Sequence, residues 1–504
     1  MKSKFWGKVF AVAAATALVA SVAGCANTEV SPTVQEKVSP ELQKFYSQTI
    51  DWSACGEFWC ASVEVPLDWS NPTGDTMQIS INEHTSPTAT GFLLVNPGGP
   101  GASGVDFVRD NYDYIGTDAL KTKYNIVGFD PRGTGASSPV KCFDAAGTDR
   151  LLYDDGNPFP LESADYLAYE RKEIAKFVDA CKANTGDVLG FVDTQSAARD
   201  LDVIRAALGQ PKLDYLGFSY GTFLGTTYAA LYPDKVGRFV LDGAIDPRVT
   251  DAQQSMNQLL GFDLALNNYL KHCLKQADCP FGGSLKSARA KVSAILKDFE
   301  TSDVATASGR RLTLDGLITG VIFALYSDSY WDYLTTAFNE LENADGTTFL
   351  KMADFYNDRA DDGTYSTNTL EANIAISCLD ARQPADAASM NAQNKAVLAA
   401  SDVFGRYWQD GGLTCENWPY PLAERPTDYS ANGSPAIMVV GTTGDPATPY
   451  QQAVDLAHEV LDQGFLVTFK GEGHTAYGRS NTCVSDAVDG WLVSGKLPAK
   501  EPKC

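Results

Sequence analysis

From about Val63 onward the chain alternates short hydrophobic runs with segments of helical periodicity. One segment, ARDLDVIRAALG, places Leu201, Ile204 and Leu208 on a single face and ends at Gly209. Strands that alternate with helices favour an α/β fold with a mostly parallel central sheet, whose sites lie at the carboxyl ends of the strands. The runs that predict the first six strands are SVEVPLDW, MQISINEHTS, GFLLVN, YNIVGFD, KLDYLGF and GRFVLD.

The pattern changes after Asp246. Up to about Pro426 it is largely helical, with the apolar residues of segments such as AKVSAILKDFE on one face. Strand-like runs then return in SPAIMVVG and FLVTF. We therefore predict a core in two parts, 51–247 and 430–504, and a large helical cap over 248–429 inserted after the sixth predicted strand.

The amino-terminal segment indicates export. Residues 1–24 carry lysines followed by an apolar, alanine-rich run, which is typical of a signal peptide and shorter than a membrane span. The run ends in VAGC, which resembles a bacterial lipobox, so we predict that Cys25 is lipidated and anchors the chain to the outer face of the cell membrane. A plain secretory peptide is the competing interpretation. The polar residues 25–50 are predicted to form a tether.

Charge and cysteine content indicate which partners and ligands to expect. A net charge of −23 would repel a phosphate backbone, so we expect no nucleic acid partner. Eleven cysteines less Cys25 leave an even number, which in an exported chain favours disulfides. The cysteines form no CxxC pair and the chain has only four histidines, so we expect no metal and no cofactor. Proximity along the chain favours the pairs Cys55–Cys60, Cys142–Cys181, Cys273–Cys279, Cys378–Cys415 and Cys483–Cys504.

The segment YLGFSYGTFLG carries the main candidate for chemistry. Its serine, Ser219, lies two residues from both Gly217 and Gly221, between a hydrophobic run and a run of small and apolar residues. This pattern is typical of a nucleophile at a sharp turn from strand to helix. A serine hydroxyl needs a base to activate it and an acid to orient that base, and in this arrangement the chain order is serine, acid, histidine.

Two residues near the carboxyl terminus satisfy that order. His474 lies in KGEGHTAYG, directly after the run FLVTF, whereas His458 falls inside a predicted helix and is interpreted as a surface residue. Asp445 follows the seventh predicted strand in VVGTTGDPATPY and is the candidate acid. Asp242 and Asp246, which follow the sixth predicted strand, remain rival acids.

The tetrahedral intermediate of acyl transfer needs backbone N–H donors for its oxyanion. One is expected from Tyr220, the residue after the nucleophile, and the other from the loop NPGGPGASG, where Gly99 is the candidate. In the neighbouring loop DPRGTG, we interpret Arg132 as a brace for its own loop.

Five motifs together, NPGGPGASG, NIVGFDPRGTGASSP, YLGFSYGTFLG, GTTGDPATP and GEGHTAYG, resemble those of the exported tripeptidyl aminopeptidases of actinobacteria. The resemblance covers about 51–504. It implies an α/β-hydrolase fold, related to that of the proline iminopeptidases, with Asn96 where the iminopeptidases have a histidine. It also implies that Ser219, Asp445 and His474 are the catalytic residues, and that short peptides are released from a free N-terminus through an acyl-enzyme.

An aminopeptidase must also bind an ammonium group, usually with a carboxylate. The candidates in the predicted cap are Glu371 and Asp380, in LEANIAISCLDA, although each also fits a structural or solvated acid. Two further functions stay open at this point. One is a carboxylesterase or lipase-like enzyme with the same three residues, and the second is a surface binding module on an inactive hydrolase scaffold.

Overall fold

Two sheets are present in the computed structural model, which describes residues 36–153 and 156–504. A central sheet has nine strands, and β8 pairs with β9 in a separate two-stranded ribbon. The strands are β1 (Ser53–Cys55), β2 (Phe58–Pro66), β3 (Thr76–His84), β4 (Phe92–Asn96), β5 (Asn125–Phe129), β6 (Leu213–Phe218), β7 (Val236–Asp242), β8 (Val304–Ala305), β9 (Arg311–Leu312), β10 (Ile437–Gly444) and β11 (Gly464–Glu472).

The central sheet is mostly parallel, as the alternation of strands and helices predicts. Its strand order is β1-β2-β3-β5-β4-β6-β7-β10-β11. The first three pairings, up to β3 with β5, are antiparallel, and the rest are parallel. Strands β4, β5 and β10 are buried along nearly their whole length, because helices cover both faces of a parallel sheet. The architecture is an α/β-hydrolase fold.

Helices fill most of the remaining chain, and many begin at a serine, threonine or aspartate whose side chain accepts from the first turn. They are α1 (Gln43–Tyr46), α2 (Gly104–Asn111), α3 (Asp118–Lys123), α4 (Ala145–Tyr153), α5 (Ala164–Thr185), α6 (Thr194–Ala207), α7 (Tyr220–Leu231), α8 (Asp251–Cys273), α9 (Leu285–Asp298), α10 (Leu314–Leu325), α11 (Trp331–Leu341), α12 (Thr347–Tyr356), α13 (Thr369–Asp380), α14 (Ala387–Ala400), α15 (Tyr450–Asp455) and α16 (Thr482–Ser494).

The segment between β7 and β10 is largely helical and contains α8 to α14. Helices α8 to α12 share an apolar cluster separate from the one against the sheet, which includes Leu266, Val321 and Phe338. Helix α13 behaves differently, because its Ala372 and Ile376 pack into the apolar cluster that lies against the sheet. One element of the predicted cap is therefore built into the sheet side of the molecule. The boundaries 248–429 stay a prediction.

The amino-terminal region is only partly described. Cys25 and the predicted signal peptide lie outside the described residues. The part of the predicted tether that is described, residues 36–50, packs against the core: α1 buries Phe45 and Tyr46, and the Tyr46 hydroxyl donates to Asp202 at 2.9 Å. The stretch is mostly polar, so its composition predicts a tether. The prediction fails for residues 36–50 because two aromatic side chains anchor them to the core. Over the two described ranges, no helix is both long and apolar enough to cross a membrane.

All five predicted cysteine pairs form disulfides, and none links residues more than 39 positions apart. The bridge Cys378–Cys415 ties α13 to the segment before β10. The chain-entropy model assigns a disulfide that closes a loop of this length a stabilisation of about 4 kcal/mol.

Arg132 braces its loop, as the sequence indicates. Its guanidinium is fully buried and forms two hydrogen bonds of 2.7 Å to the carboxylate of Asp200 on α6. The same group donates to the carbonyl oxygens of Pro66, Leu67 and Phe191. These bonds hold the loop after β5 against β2 and α6, where it supports the carboxyl edge of the sheet.

Candidate active site

Ser219 lies at the junction of β6 and α7 with a φ of 55°. Positive φ is strained for a residue other than glycine, and such strain is typical of a serine at this turn. A Cβ atom on Gly217 would lie 2.5 Å from the carbonyl oxygen of Gly221, and one on Gly221 would lie 2.7 Å from Oδ1 of Asn96. The turn can therefore close only with glycine at both positions.

The loop after β4 lies directly against this turn. A Cβ atom on Gly98 would lie 2.9 Å from Cβ of Ser219, and the Gly98 amide donates to Oδ1 of Asn96 at 3.0 Å. The Gly99 and Tyr220 amides, by contrast, find no acceptor among the described residues. Tyr220 is the first residue of α7, where an amide has no partner within its own helix. Both candidate donors are thus available close to Ser219.

His474 and Asp445 are in direct contact. His474 Nδ1 lies 2.9 Å from Oδ1 and 3.0 Å from Oδ2 of Asp445, which is buried. The Asp445 carboxylate also accepts the backbone amides of Ala447, Thr448 and Thr475 at 2.9–3.1 Å. These bonds orient the carboxylate so that it accepts a hydrogen bond from Nδ1, which leaves His474 Nε2 with a lone pair for a proton acceptor role.

The rival acid Asp242 supports the same loop from a different position. Its carboxylate ends β7 and accepts the backbone amide of Ala476 at 2.9 Å and that of Tyr477 at 2.7 Å. Burial raises the pKa of Asp242 to about 6, the nearby Asp445 acts in the same direction, and the two amides oppose the shift. Asp242 therefore holds the backbone after His474, while Asp445 holds the imidazole.

Asp246 and His458 pair with residues away from the site. Asp246 forms a bidentate ion pair with Arg248, with the closest nitrogen–oxygen distance at 2.8 Å. His458 is partly exposed and its Nε2 lies 2.9 Å from Glu501. The structure therefore leaves Asp445 as the acid that binds the imidazole of His474, and His458 as a surface residue.

Ser219 and His474 open into a shared cavity of ≈ 400 Å³. Within the described residues no hydrogen bond joins the two side chains, as is common in a structure without substrate. Gly99 also lines this cavity. Most of its other walls come from the helical segment, with the apolar and polar side chains of Tyr326, Asn357, Asp358, Leu370 and Asn373. Leu152 of α4 adds an apolar contact.

Tyr326 brings the helical segment into contact with His474. Its carbonyl oxygen, just after α10, accepts the His474 amide at 2.8 Å. Its ring lies edge-on to the imidazole with the centroids 5.5 Å apart. Sequence reasoning missed this residue, because the helical pattern identifies the buried faces of α10 but not the loop that its end contacts.

The two predicted amine-binding acids do not lie in this cavity. Glu371 is on the first turn of α13 and is not among the lining residues, and burial raises its pKa. Asp380 lines a second, smaller cavity of ≈ 120 Å³ with Tyr220. Its carboxylate accepts both the amide of Thr194, at 2.9 Å, and the Thr194 hydroxyl, which in turn contacts the Tyr220 hydroxyl. Burial raises the pKa of Asp380 to about 7.

These contacts connect Asp380 to the turn that carries Ser219, through the side chain of Tyr220. We also find, across the part of the chain that the structure describes, no group of three or more histidine, cysteine or acidic side chains placed to hold a metal ion.

Comparison with known proteins finds a matching family model and relatives that match nearly the whole chain. Residues 401–504 match the family model described as a TAP-like protein. The chain is 34% identical over 480 residues to serine protease Hip1 of Mycobacterium tuberculosis, covering 91% of each protein. It is 35% identical to carboxylesterase B of the same organism, over 90% of this chain and 89% of that protein. It is 30% identical to tripeptidyl aminopeptidase of Streptomyces lividans, over 90% of this chain and 86% of the relative.

Identity of this extent over nearly the whole length establishes common ancestry, and these three relatives bear the names of hydrolases. The chain therefore belongs to the tripeptidyl aminopeptidase-like family of serine hydrolases with the α/β-hydrolase fold.

Proposed function

We propose that this protein is an exported aminopeptidase that releases short peptides from free N-termini, with Ser219 as nucleophile, His474 as general base and Asp445 as the acid that orients it. The observation that carries the proposal is the shared cavity: Ser219 at a strained strand–helix turn faces the same space as a histidine whose Nδ1 is bound by a buried carboxylate.

The chemistry follows from these positions. His474 Nε2 takes the proton of the Ser219 hydroxyl as its oxygen attacks the peptide carbonyl carbon. The Gly99 and Tyr220 amides stabilise the resulting oxyanion. When the intermediate collapses, the C–N bond breaks, and His474 gives its proton to the leaving amine. Water then repeats the sequence on the acyl-enzyme, which frees the short peptide and restores Ser219.

The peptide specificity is supported by the relatives named serine protease Hip1 and tripeptidyl aminopeptidase. A carboxylesterase is the second candidate, favoured by the relative named carboxylesterase B at 35% identity. The same acyl chemistry cleaves peptide and ester bonds, so only assays with both kinds of substrate distinguish the two functions. A non-catalytic binding module is disfavoured by the family membership and by the geometry of the three residues.

A pair of tripeptide p-nitroanilides, one with a free N-terminus and one N-acetylated, tests the specificity. We expect the free peptide to be cleaved with a kcat/KM at least about 10-fold higher, since a charge-assisted contact to an ammonium contributes about 1.5–3 kcal/mol. p-Nitrophenyl acetate serves as the control for an intact site. Turnover of the ester with neither peptide cleaved would replace the aminopeptidase with an esterase.

Location outside the cytoplasm is part of the same proposal. The apolar run before VAGC and the five disulfides support export, and the lipobox supports an anchor on Cys25. In cells fed an alkyne fatty acid, the wild-type protein should incorporate the label and the Cys25→Ser variant should not. The variant should also be released into the medium. A labelled Cys25→Ser protein would exclude this anchor.

A further inference from the structure

The cavity that contains Ser219 and His474 has one carboxylate among its described lining residues, Asp358. Sequence reasoning did not select this residue. It follows α12 in the helical segment and adopts a φ of 55°. Left-handed backbone is common just past a helix C-terminus, and aspartate adopts it more readily than most residues.

Contacts on one side hold the Asp358 carboxylate in place. The Thr367 hydroxyl donates to its Oδ2 at 2.7 Å, and its backbone carbonyl oxygen accepts the Ser366 amide at 3.1 Å. Thr367 also contacts Thr369, a cavity residue, at 3.0 Å. Oδ1, in contrast, accepts no hydrogen bond from any described residue. The carboxylate is thus oriented and has one oxygen left for a ligand.

The adjacent cation does not neutralise this carboxylate. Arg359 turns to Asp149 instead, with its Nε 2.7 Å from Oδ1 and its Nη2 2.9 Å from Oδ2. Asp149 also accepts the Tyr365 hydroxyl at 2.6 Å. Among the described residues no ion pair involves Asp358, which lines the cavity.

We propose that Asp358 binds the N-terminal ammonium of the peptide substrate and so determines the specificity for free N-termini; this inference rests on the aminopeptidase function proposed above. An ammonium has three donors. In this arrangement Asp358 Oδ1 accepts one, and the side-chain oxygen of Asn373, which lines the same cavity, accepts another. The Asn373 amide nitrogen already donates to the Pro100 carbonyl at 3.1 Å, which leaves its oxygen for the ligand. The distance from this anchor to Ser219 then limits how many residues precede the scissile bond.

Both acids that the sequence suggests for this role lie elsewhere. Glu371 is outside the cavity, and the Asp380 carboxylate is occupied by Thr194. The geometry therefore assigns the role to a residue in a loop, whose position depends on how the helices stack over the sheet.

The test compares Asp358→Asn with the matched control Asp361→Asn, an exposed aspartate in the same loop. Each protein is assayed with the free and the N-acetylated tripeptide p-nitroanilide and with p-nitrophenyl acetate. Asp358→Asn should lower kcat/KM for the free peptide about 10- to 100-fold more than for the two substrates without an ammonium, which erases the preference. Asp361→Asn should keep the wild-type ratio.

A second variant covers the case in which Asp358→Asn does not fold. Asp358→Glu keeps the charge and moves it by one methylene, so it should retain a preference for the free peptide and change the preferred peptide length. A wild-type ratio in folded Asp358→Asn would overturn this inference and leave the aminopeptidase intact. A wild type that hydrolyses the ester and neither peptide would instead overturn the proposed function, and this inference with it.

Discussion

Ser219→Ala is expected to lower kcat for every substrate by roughly 10⁵- to 10⁶-fold while the protein stays folded. The loss is large because the general base has no hydroxyl left to activate, and only the oxyanion donors and substrate binding still accelerate hydrolysis by water. The fold should survive, since the Ser219 side chain forms no hydrogen bond with a described residue and alanine has to adopt the same strained φ of 55°.

The measurement is kcat on p-nitrophenyl acetate and on the free tripeptide p-nitroanilide, with labelling by a fluorophosphonate probe alongside. Ser494→Ala is a suitable control, because Ser494 is exposed on α16 and its hydroxyl donates to the Gly490 carbonyl. We expect the control to keep wild-type rates and labelling, and Ser219→Ala to lose both. Residual activity above about 1% of wild type, in protein free of contaminating hydrolase, would exclude Ser219 as the nucleophile.

The placement of Ser219, Asp445 and His474 at one edge of the sheet was predictable because each lies in a short loop at the carboxyl end of a parallel strand. Ser219 follows β6, Asp445 follows β10 and His474 follows β11. In a parallel sheet these ends share one edge, so chain order and strand prediction suffice to bring the three residues together. The same locality explains the disulfides, since each joins neighbouring segments of chain.

Residues contributed by the helical segment were not predictable in this way. Periodicity identifies the apolar face of a helix, but the stacking of helices over the sheet depends on side-chain packing that no local pattern encodes. Asp358 and Tyr326 reach the cavity from loops at the ends of α12 and α10, and nothing in their local sequence distinguishes them. For the same reason, the sequence does not show which of the acids Glu371, Asp380 and Asp358 reaches the cavity. The three-residue strand β1 also escapes prediction, because it is too short to show alternation.

The sequence alone does not decide between Asp445 and Asp242 as the acid that orients His474, since both follow strands at the carboxyl edge of the sheet. The structure separates their contacts: Asp445 binds Nδ1 of His474, and Asp242 binds the backbone amides of Ala476 and Tyr477. Replacing Asp445 or Asp242 with the isosteric asparagine should therefore have different consequences. Asp445→Asn is expected to lower kcat by about 10³- to 10⁴-fold, because an amide cannot stabilise the imidazolium and favours the wrong histidine tautomer.

Asp242→Asn is expected to lower kcat by less than about 10-fold and to reduce the free energy of unfolding by about 1–3 kcal/mol, since an amide replaces a carboxylate that accepts buried backbone N–H groups. It should also alter the pH dependence of stability. Burial raises the pKa of Asp242 from 3.8 to about 6, so the folded state binds this proton more tightly than the unfolded state does. Wild-type stability from this group therefore falls as the pH rises from about 4 to 6, and the variant should lack that fall.

Measuring kcat and urea unfolding for both variants between pH 4 and pH 8 distinguishes the two roles, because each predicts a loss in a different quantity. The Asp445 carboxylate accepts three backbone amides, so Asp445→Asn will also lower the free energy of unfolding. The two kcat values therefore have to be compared for the folded fraction of each variant. If Asp242→Asn reduced kcat as strongly as Asp445→Asn while remaining folded, the imidazolium would depend on both carboxylates. The assignment of Asp445 as the single acid would then be wrong.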